Sequence, residues 1–281
     1  NLEDPSADFF ANSAKQDVWG FTSLGKAGKA ATEETILPQI PSKVQNIVTA
    51  SNIQSTSNDL KFEMKVNIGG KNEQYFIESL LPGAFNTYNI MASILAVHNL
   101  SNIEISKIVK KIKDLSPVKG RMTKINQNQP FEVIVDYAHT PSSFETIFPP
   151  IRKRCNGKMI CIFGSGGERD LTKRPIQGEI AAKYCDVVIL ADEDPRGEDP
   201  IELLKMIANG AIKMGKTINK DLFIIHDRPQ AIRYAFSIAQ KNDIVLLLGK
   251  SHENSIIYKD YIMPYDEIKE AKNALSEMNF I

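Results

Sequence analysis

Between Leu60 and Ile68 apolar side chains fall on alternate positions (Leu60, Phe62, Met64, Val66, Ile68); Gly69-Gly70 follow, and a second extended run fills Gln74 to Leu80. A period of two on both sides of a glycine turn predicts a β-hairpin with one buried face. After Leu81-Pro82-Gly83 the period lengthens, and Asn89 to Leu100 and Ile103 to Leu115 read as helices, the second closing near Ser116-Pro117. Beyond Pro117 short apolar runs alternate with amphipathic helical stretches. Strands are predicted at Phe131–Asp136, Lys158–Gly164, Asp186–Ala191, Leu222–His226 and Asp243–Gly249. That alternation predicts an α/β chain whose second part is a mostly parallel sheet wrapped by helices. The change of rhythm puts a domain boundary after residue 116, giving units 1–116 and 117–281. Pro38 to Asn58 is polar enough to predict a mobile loop, and no internal repeat or low-complexity tract is present.

Composition narrows the function classes. With 281 residues, 42% of them hydrophobic, the chain can bury two medium cores. Thirty-four basic and 34 acidic residues cancel, so no global field favours nucleic acid or a membrane surface; a small anionic or zwitterionic ligand stays open, and no protein partner is inferred. No run of about 18 apolar residues occurs, and Asn1 to Phe10 lacks the basic start and apolar stretch of a signal peptide, which predicts a cytoplasmic protein. Cys155, Cys161 and Cys185 are odd in number and form no CxxC pair, so buried thiols are expected rather than disulfides or zinc. The four histidines have no metal-ligand spacing, and no protein metal site is expected. Asn1 to Ala11 has no initiating methionine and reads as the middle of a longer sequence.

In an open parallel sheet ligands bind beyond the carboxyl ends of the strands. Here those ends carry Asp136-Tyr137-Ala138-His139-Thr140-Pro141, then Gly164-Ser165-Gly166-Gly167-Glu168-Arg169-Asp170, Asp192-Glu193-Asp194-Pro195-Arg196, and Gly249-Lys250-Ser251-His252-Glu253. Carboxylates, guanidinium groups, an ammonium, two imidazoles and glycines together suit the grip of a zwitterion and a nucleotide. Each piece also has a plainer role open to it. Asp136 could cap the helix starting near Pro141, the glycine loop could be a flexible turn, Arg169 and Arg196 could be solvated, and His252 could cap a turn, while His98 and His226 read as structural. Gly20 to Lys26 matches seven positions of GxxxxGK[ST], but Ala27 stands where the Mg²⁺-binding hydroxyl belongs, so the segment is read as a loop.

Longer motifs identify a family. Leu81 to Asn89 (LPGAFNTYN) resembles the LxGxFNxxN element of Mur ligase central domains, and Gly120-Arg121-Met122 resembles the GRME that opens their third domain. VDYAHTP (Val135–Pro141), FGSGGERDLTKRP (Phe163–Pro175), DRPQAI (Asp227–Ile232) and DIVLLLGKSHE (Asp243–Glu253) are similar to signatures of the diamino-acid-adding MurE type, in the family's order; Asn1 to Pro5 resembles the NxDD strand end of its ATPase domain. The resemblance implies a Rossmann-like C-terminal domain preceded by the trailing part of an α/β ATPase domain. It implies an ATP- and Mg²⁺-dependent ligase of peptidoglycan precursor synthesis, which phosphorylates the D-glutamate carboxylate of UDP-N-acetylmuramoyl-L-alanyl-D-glutamate and lets a diamino acid attack the acyl phosphate. By position, Asn86 and Asn89 match adenine contacts, Arg121 the arginine near the ATP phosphates, and Asp136, with Tyr137 beside it, the nucleotide contact near the ribose. His139 lies in the same motif, and Lys173 is expected to assist catalysis. Arg169, Glu193, Asp194, Arg196, Gly249 and Glu253 match the surroundings of the incoming amino acid, where an arginine can hold a carboxylate bidentately.

Arg196 stands where diaminopimelate enzymes carry the arginine of DNPR, which favours meso-diaminopimelate over L-lysine. Glu193 and Asp194 replace the usual Asp-Asn, and Ser251 replaces a glycine of GKGHE. The family's P-loop, its carbamylated lysine and its UDP-binding domain would precede residue 1, so this stretch alone is expected not to ligate. VDYAHTP by itself also permits a folylpolyglutamate or cyanophycin synthetase, against which GERDLTK and EDPR argue. A non-catalytic amino-acid-binding module is the alternative from another class. A dinucleotide oxidoreductase is disfavoured because Gly164 to Gly167 lacks GxGxxG spacing.

Overall fold

The computed structural model describes residues 1–14, 18–23, 40–56 and 58–280, which fall into two units, Asn1–Pro117 and Val118–Ile281. In the first, helix α1 (Ala7–Ser13) precedes β1 (Val18–Ser23), β2 (Val44–Ser55), β3 (Leu60–Ile68) and β4 (Lys71–Ser79), followed by α2 (Asn86–Ser101) and α3 (Ile105–Ile112). The strands form one sheet in the order β1-β2-β3-β4, parallel at β1–β2 and antiparallel elsewhere. Gly69 and Gly70 both have positive φ (54° and 80°), as a two-residue hairpin turn requires. Phe62, Met64, Val66 and Ile77 point to one face of the sheet, where Ile90, Met91 and Ile94 of α2 cover them.

Two expectations fail in this unit. The segment read as a polar loop at Pro38–Asn58 contains the twelve-residue strand β2. Val48, Ala50 and Ile53 are buried while the polar residues between them face outward, and an irregularity between Ser51 and Gln54, with Asn52 at φ 53°, breaks the alternation by which a strand is recognised. Gly20 to Ser23, read as part of a loop, lies inside β1; the remainder of that P-loop-like stretch falls outside the described residues. The helix predicted from Asn89 starts at Asn86, so both asparagines lie in its first turn.

The second unit runs β5 (Thr123–Ile125), β6 (Glu132–Asp136), α4 (Pro141–Arg154), β7 (Met159–Phe163), α5 (Lys173–Tyr184), β8 (Val187–Leu190), α6 (Pro200–Lys213), β9 (Leu222–Ile224), α7 (Arg228–Ile238), β10 (Ile244–Leu248), β11 (Ser255–Ile257), β12 (Ile262–Pro264) and α8 (Glu267–Glu277). Its main sheet has the order β5-β6-β10-β7-β8-β9; all pairings are parallel except β5–β6. Every residue of β7, β8 and β10 is buried, the signature of strands covered on both faces. Val133, Ile160, Ile162, Val245 and Leu247 pack against Ala231, Ile232, Phe236, Ala271 and Leu275 of α7 and α8. On the opposite face Phe163 meets Phe144 of α4 edge to face, ring centroids 4.9 Å apart. Several helices begin on a side chain that accepts a first-turn amide: Thr140 caps α4, Asp199 α6, Asp227 α7 and Asp266 α8, with proline at the first or second helical position of the first three. Among the described residues no helix is long and apolar enough to cross a membrane.

Candidate functional site

The sheet order makes β6, β10, β7 and β8 neighbours, so the four chemistry-bearing strand ends lie side by side. At the end of β6, Asp136 does not cap α4, which Thr140 does through a capping box. Instead its carboxylate accepts the Met122 and Ala138 amides at 2.8 and 2.9 Å and ties the Gly120–Met122 segment to the sheet. Burial pushes its carboxyl above the usual range, opposed by these two amides and by the charge of Arg121. The exposed Arg121 guanidinium lies 4.4 Å from the centroid of the Tyr137 ring, a cation–π contact. The Tyr137 ring also meets His139 and His252, at 4.7 and 5.0 Å. Its hydroxyl donates to Glu253 Oε1 at 3.3 Å. The carbonyl of His139 accepts from Lys173 Nζ (3.4 Å) and Gln177 Nε2 (3.0 Å), which brings the start of α5 to the end of β6.

Between β10 and β8 the chemistry is denser. Lys250, 1% exposed, donates to Asp194 Oδ1 at 2.8 Å and to Glu253 Oε2 at 2.6 Å. Glu193 lies alongside: its Oε2 is shut off from solvent without a hydrogen-bond partner and sits 2.7 Å from where a Cβ on Gly249 would project. Gly249 has φ 96°, so this backbone position favours glycine on both counts. Burial raises the Glu193 carboxyl, opposed first by the charge of Arg228 and then by His139, Lys173 and Lys250. Ser251, at the position where the motif normally has glycine, adopts φ 50° and hydrogen-bonds the Gly120 carbonyl, tying the β10 loop to the Arg121 segment.

The glycine loop after β7 is not a free turn. Gly166 bridges Asp194, and the Gly167 amide donates to the Asp194 carbonyl at 2.8 Å. A Cβ on Gly167 would lie 1.9 Å from the Pro195 carbonyl oxygen. Gly167→Ala is therefore expected to destabilise the chain by about 2–3 kcal/mol through overpacking, measured as a fall in the urea midpoint at unchanged slope. Buried Arg174 clamps the loop from the other side, with a bidentate pair to Glu198 (2.7 and 2.8 Å) and a bond to the Gly166 carbonyl. Arg169, on this loop, is exposed; Arg196 is half-buried, with Nε hidden from solvent and unpartnered.

In the first unit, Asn86 Nδ2 donates to the Pro82 carbonyl (2.6 Å) and Asn89 Nδ2 to Asn86 Oδ1 (2.9 Å). Near the start of the same helix Tyr88 joins Ser23 and Thr22 around Glu3, whose carboxyl is pulled below its ordinary value by these hydrogen bonds against the effect of burial. A cavity of about 340 Å³ in this unit is lined by Leu2, Phe10, Trp19 and Val44 among others and contains neither asparagine.

The candidate residues of the second unit thus gather on contiguous strand ends, with Arg169 on their outer side. Sequence reasoning missed the groups that hold them. Lys250 was visible within GKSHE but had no role assigned, Arg174 sits in TKRP, and Arg228, in DRPQAI, is wholly buried against Glu267. An arginine or lysine inside an otherwise loop-like motif is the available signal, since such groups are buried only when paired. Cys161 and Cys185 are buried free thiols, as expected, while Cys155 is half-exposed.

Comparison with known proteins points to one family. Residues 120–251 match the family described as Mur ligase, glutamate ligase domain. A UDP-N-acetylmuramyl-tripeptide synthetase of Treponema denticola is 50% identical over 278 residues, covering 98% of this chain and 49% of that protein. A UDP-N-acetylmuramoyl-L-alanyl-D-glutamate–2,6-diaminopimelate ligase of Caldanaerobacter subterraneus is 37% identical over 230 residues, 82% of this chain and 46% of that one. A solved 2,6-diaminopimelate ligase superposes with a TM-score of 0.54 at 26% identity, covering 83% of this chain and 46% of that one. The chain spans about half the length of the curated relatives it matches. With a family match across the strand ends and half of all positions shared with one relative along nearly the whole chain, this chain belongs to the Mur ligase family.

Proposed function

We propose that this chain forms the amino-acid site and part of the nucleotide site of an ATP-dependent ligase that joins a diamino acid to UDP-N-acetylmuramoyl-L-alanyl-D-glutamate through an acyl phosphate. The observation that carries the reading is Lys250 buried between Asp194 and Glu253 with Glu193 beside them. The Asp194 and Glu253 carboxylates on one ammonium, with the Glu193 carboxyl beside them, leave a local surplus of acidic groups suited to a substrate's distal ammonium, while Arg196 offers a guanidinium to a carboxylate. Arg169 flanks the same loops. Arg121, exposed and stacked on Tyr137, is the cation for phosphate oxygens, Asp136 and Tyr137 shape the nucleotide side, and Asn86 and Asn89 are assigned to the adenine. Lys173 and His139 are assigned to developing charge on the transferred phosphoryl group, where a fixed cation lowers the barrier. Residues 1–116 are assigned as the trailing part of the ATPase domain and 117–281 as the C-terminal domain.

Among the described residues no cluster of three or more His, Cys, Asp or Glu side chains could hold a metal ion; ATP is proposed to act with Mg²⁺, and the roles assigned above are those of the chain's own side chains. The chain alone is proposed not to ligate; amide formation by the purified chain with ATP and both substrates would overturn that. The amino acid is proposed to be meso-diaminopimelate, because Arg196 can pair with the second carboxylate that L-lysine lacks. Calorimetric titration of the chain is expected to give heat with meso-diaminopimelate and none with L-lysine, and Arg196→Ala is expected to weaken the former about 50-fold. Equal affinity for the two amino acids would sink the assignment.

A further inference from the structure

We propose that Tyr258 is a positioning residue for the amino-acid site, acting through the β11–β12 hairpin to fix the Asp192–Arg196 loop; the inference rests on reading that loop as part of the diamino-acid site. The loop leaves the end of β8 without regular structure, and Arg196 within it adopts φ 53°. A left-handed conformation at a residue with a Cβ persists only where the surroundings enforce it. Here the enforcing strip is the hairpin. The Arg196 amide donates to the Ile257 carbonyl at 2.9 Å, the Ile257 amide donates to Asp194 Oδ1 at 2.9 Å, and Arg196 and Tyr258 form a parallel bridge.

Tyr258 completes the strip with its side chain. Its hydroxyl donates to Asp192 Oδ2 at 2.9 Å. Asp192 is 1% exposed, its Oδ1 is buried without a partner, and the exposed His226 ring lies beside it, Nδ1 3.5 Å from Oδ2. A buried carboxylate so sparsely satisfied depends on its shortest hydrogen bond, and without it would be drawn toward water, taking the adjoining Glu193, Asp194 and Arg196 with it. The Tyr258 ring is itself steadied by stacking on Tyr261, centroids 4.7 Å apart and planes at 15°. Tyr261 is 58% exposed and bonds to nothing in the loop through its side chain, so it serves as the internal control.

The test compares Tyr258→Phe and Tyr261→Phe in the whole 281-residue chain, by amide hydrogen exchange and by calorimetric titration with meso-diaminopimelate. In Tyr258→Phe the Arg196 and Ile257 amides are expected to exchange about tenfold faster while those of β10 are unchanged, and affinity is expected to fall about tenfold; Tyr261→Phe leaves both near the parent values. Unchanged exchange, or faster exchange with affinity within twofold of the parent, overturns the inference. So does faster exchange across the whole unit, since that reports general destabilisation. If the unaltered chain binds no diamino acid, the reading of the site fails and the inference falls with it; if it binds and Tyr258→Phe binds equally well, the inference alone fails.

Discussion

Lys250→Met is expected to weaken binding of the diamino acid at least 100-fold while the chain still folds. The ammonium is nearly inaccessible and is shared by Asp194 and Glu253, with the unpartnered Glu193 carboxylate close by. Removing it leaves carboxylates facing one another at low exposure, and breaking a buried pair in this way costs about 3–5 kcal/mol. The carboxylates can respond by separating or by taking up a proton; either response spoils the surface presented to the substrate. Lys250→Arg is expected to fail too, because a planar fork cannot replace a compact ammonium set between two carboxylates on different loops. Calorimetry with meso-diaminopimelate, with the thermal midpoint as control, reads the effect. Affinity within fivefold of the parent in Lys250→Met would show that the lysine does not organise the site.

Arg228→Met is expected to lower stability by about 3–5 kcal/mol, or roughly a 10 °C fall in the midpoint of the second unit. Arg228 and Glu267 are both fully buried and paired bidentately, at 2.9 and 2.7 Å. Tyr265 donates a further hydrogen bond to Glu267 at 2.6 Å. The same guanidinium donates to the Leu248 and Asp192 carbonyls, fastening the ends of β10 and β8 beneath the site. Removing the arginine alone strands a buried carboxylate. The double variant Arg228→Met with Glu267→Leu removes both charges and is expected to recover most of the loss, short of the two carbonyl bonds. A double variant no more stable than the single would place the damage in those carbonyls instead.

The second unit was legible in the sequence because strands covered on both faces are uninterrupted apolar runs: MICIF, VVIL and IVLLL announce themselves. Their right-hand neighbours in sequence are the chemistry, so the position of the candidate site followed from the sheet type alone. Three of the shortest elements were not legible. Thr123–Ile125, Ser255–Ile257 and Ile262–Pro264 are three residues each, too short to display a period, and exist because a neighbouring strand supplies their hydrogen bonds. β2 was hidden by its own irregularity at Ser51–Gln54. Within the site, residue types were readable but partners were not. Nothing local to Asp136 tells that its carboxylate reaches the Met122 amide, or that Lys250 reaches back to Asp194. Those pairings join residues far apart in the chain and depend on the order of strands in the sheet, which no spacing encodes.

That strand order also bears on how the chain comes to its native state. β10 is nearly the last strand made, yet it lies in the middle of the sheet, with Ile244 beside both Glu132 and Met159. During synthesis from the amino end β6 and β7 therefore wait, each with an unpaired edge, until roughly a hundred further residues have emerged. The sheet can close only as a late and largely single event, with insertion of IVLLL as its final step. Chaperone demand on the nascent chain should accordingly peak before residue 248 is released and drop sharply after it.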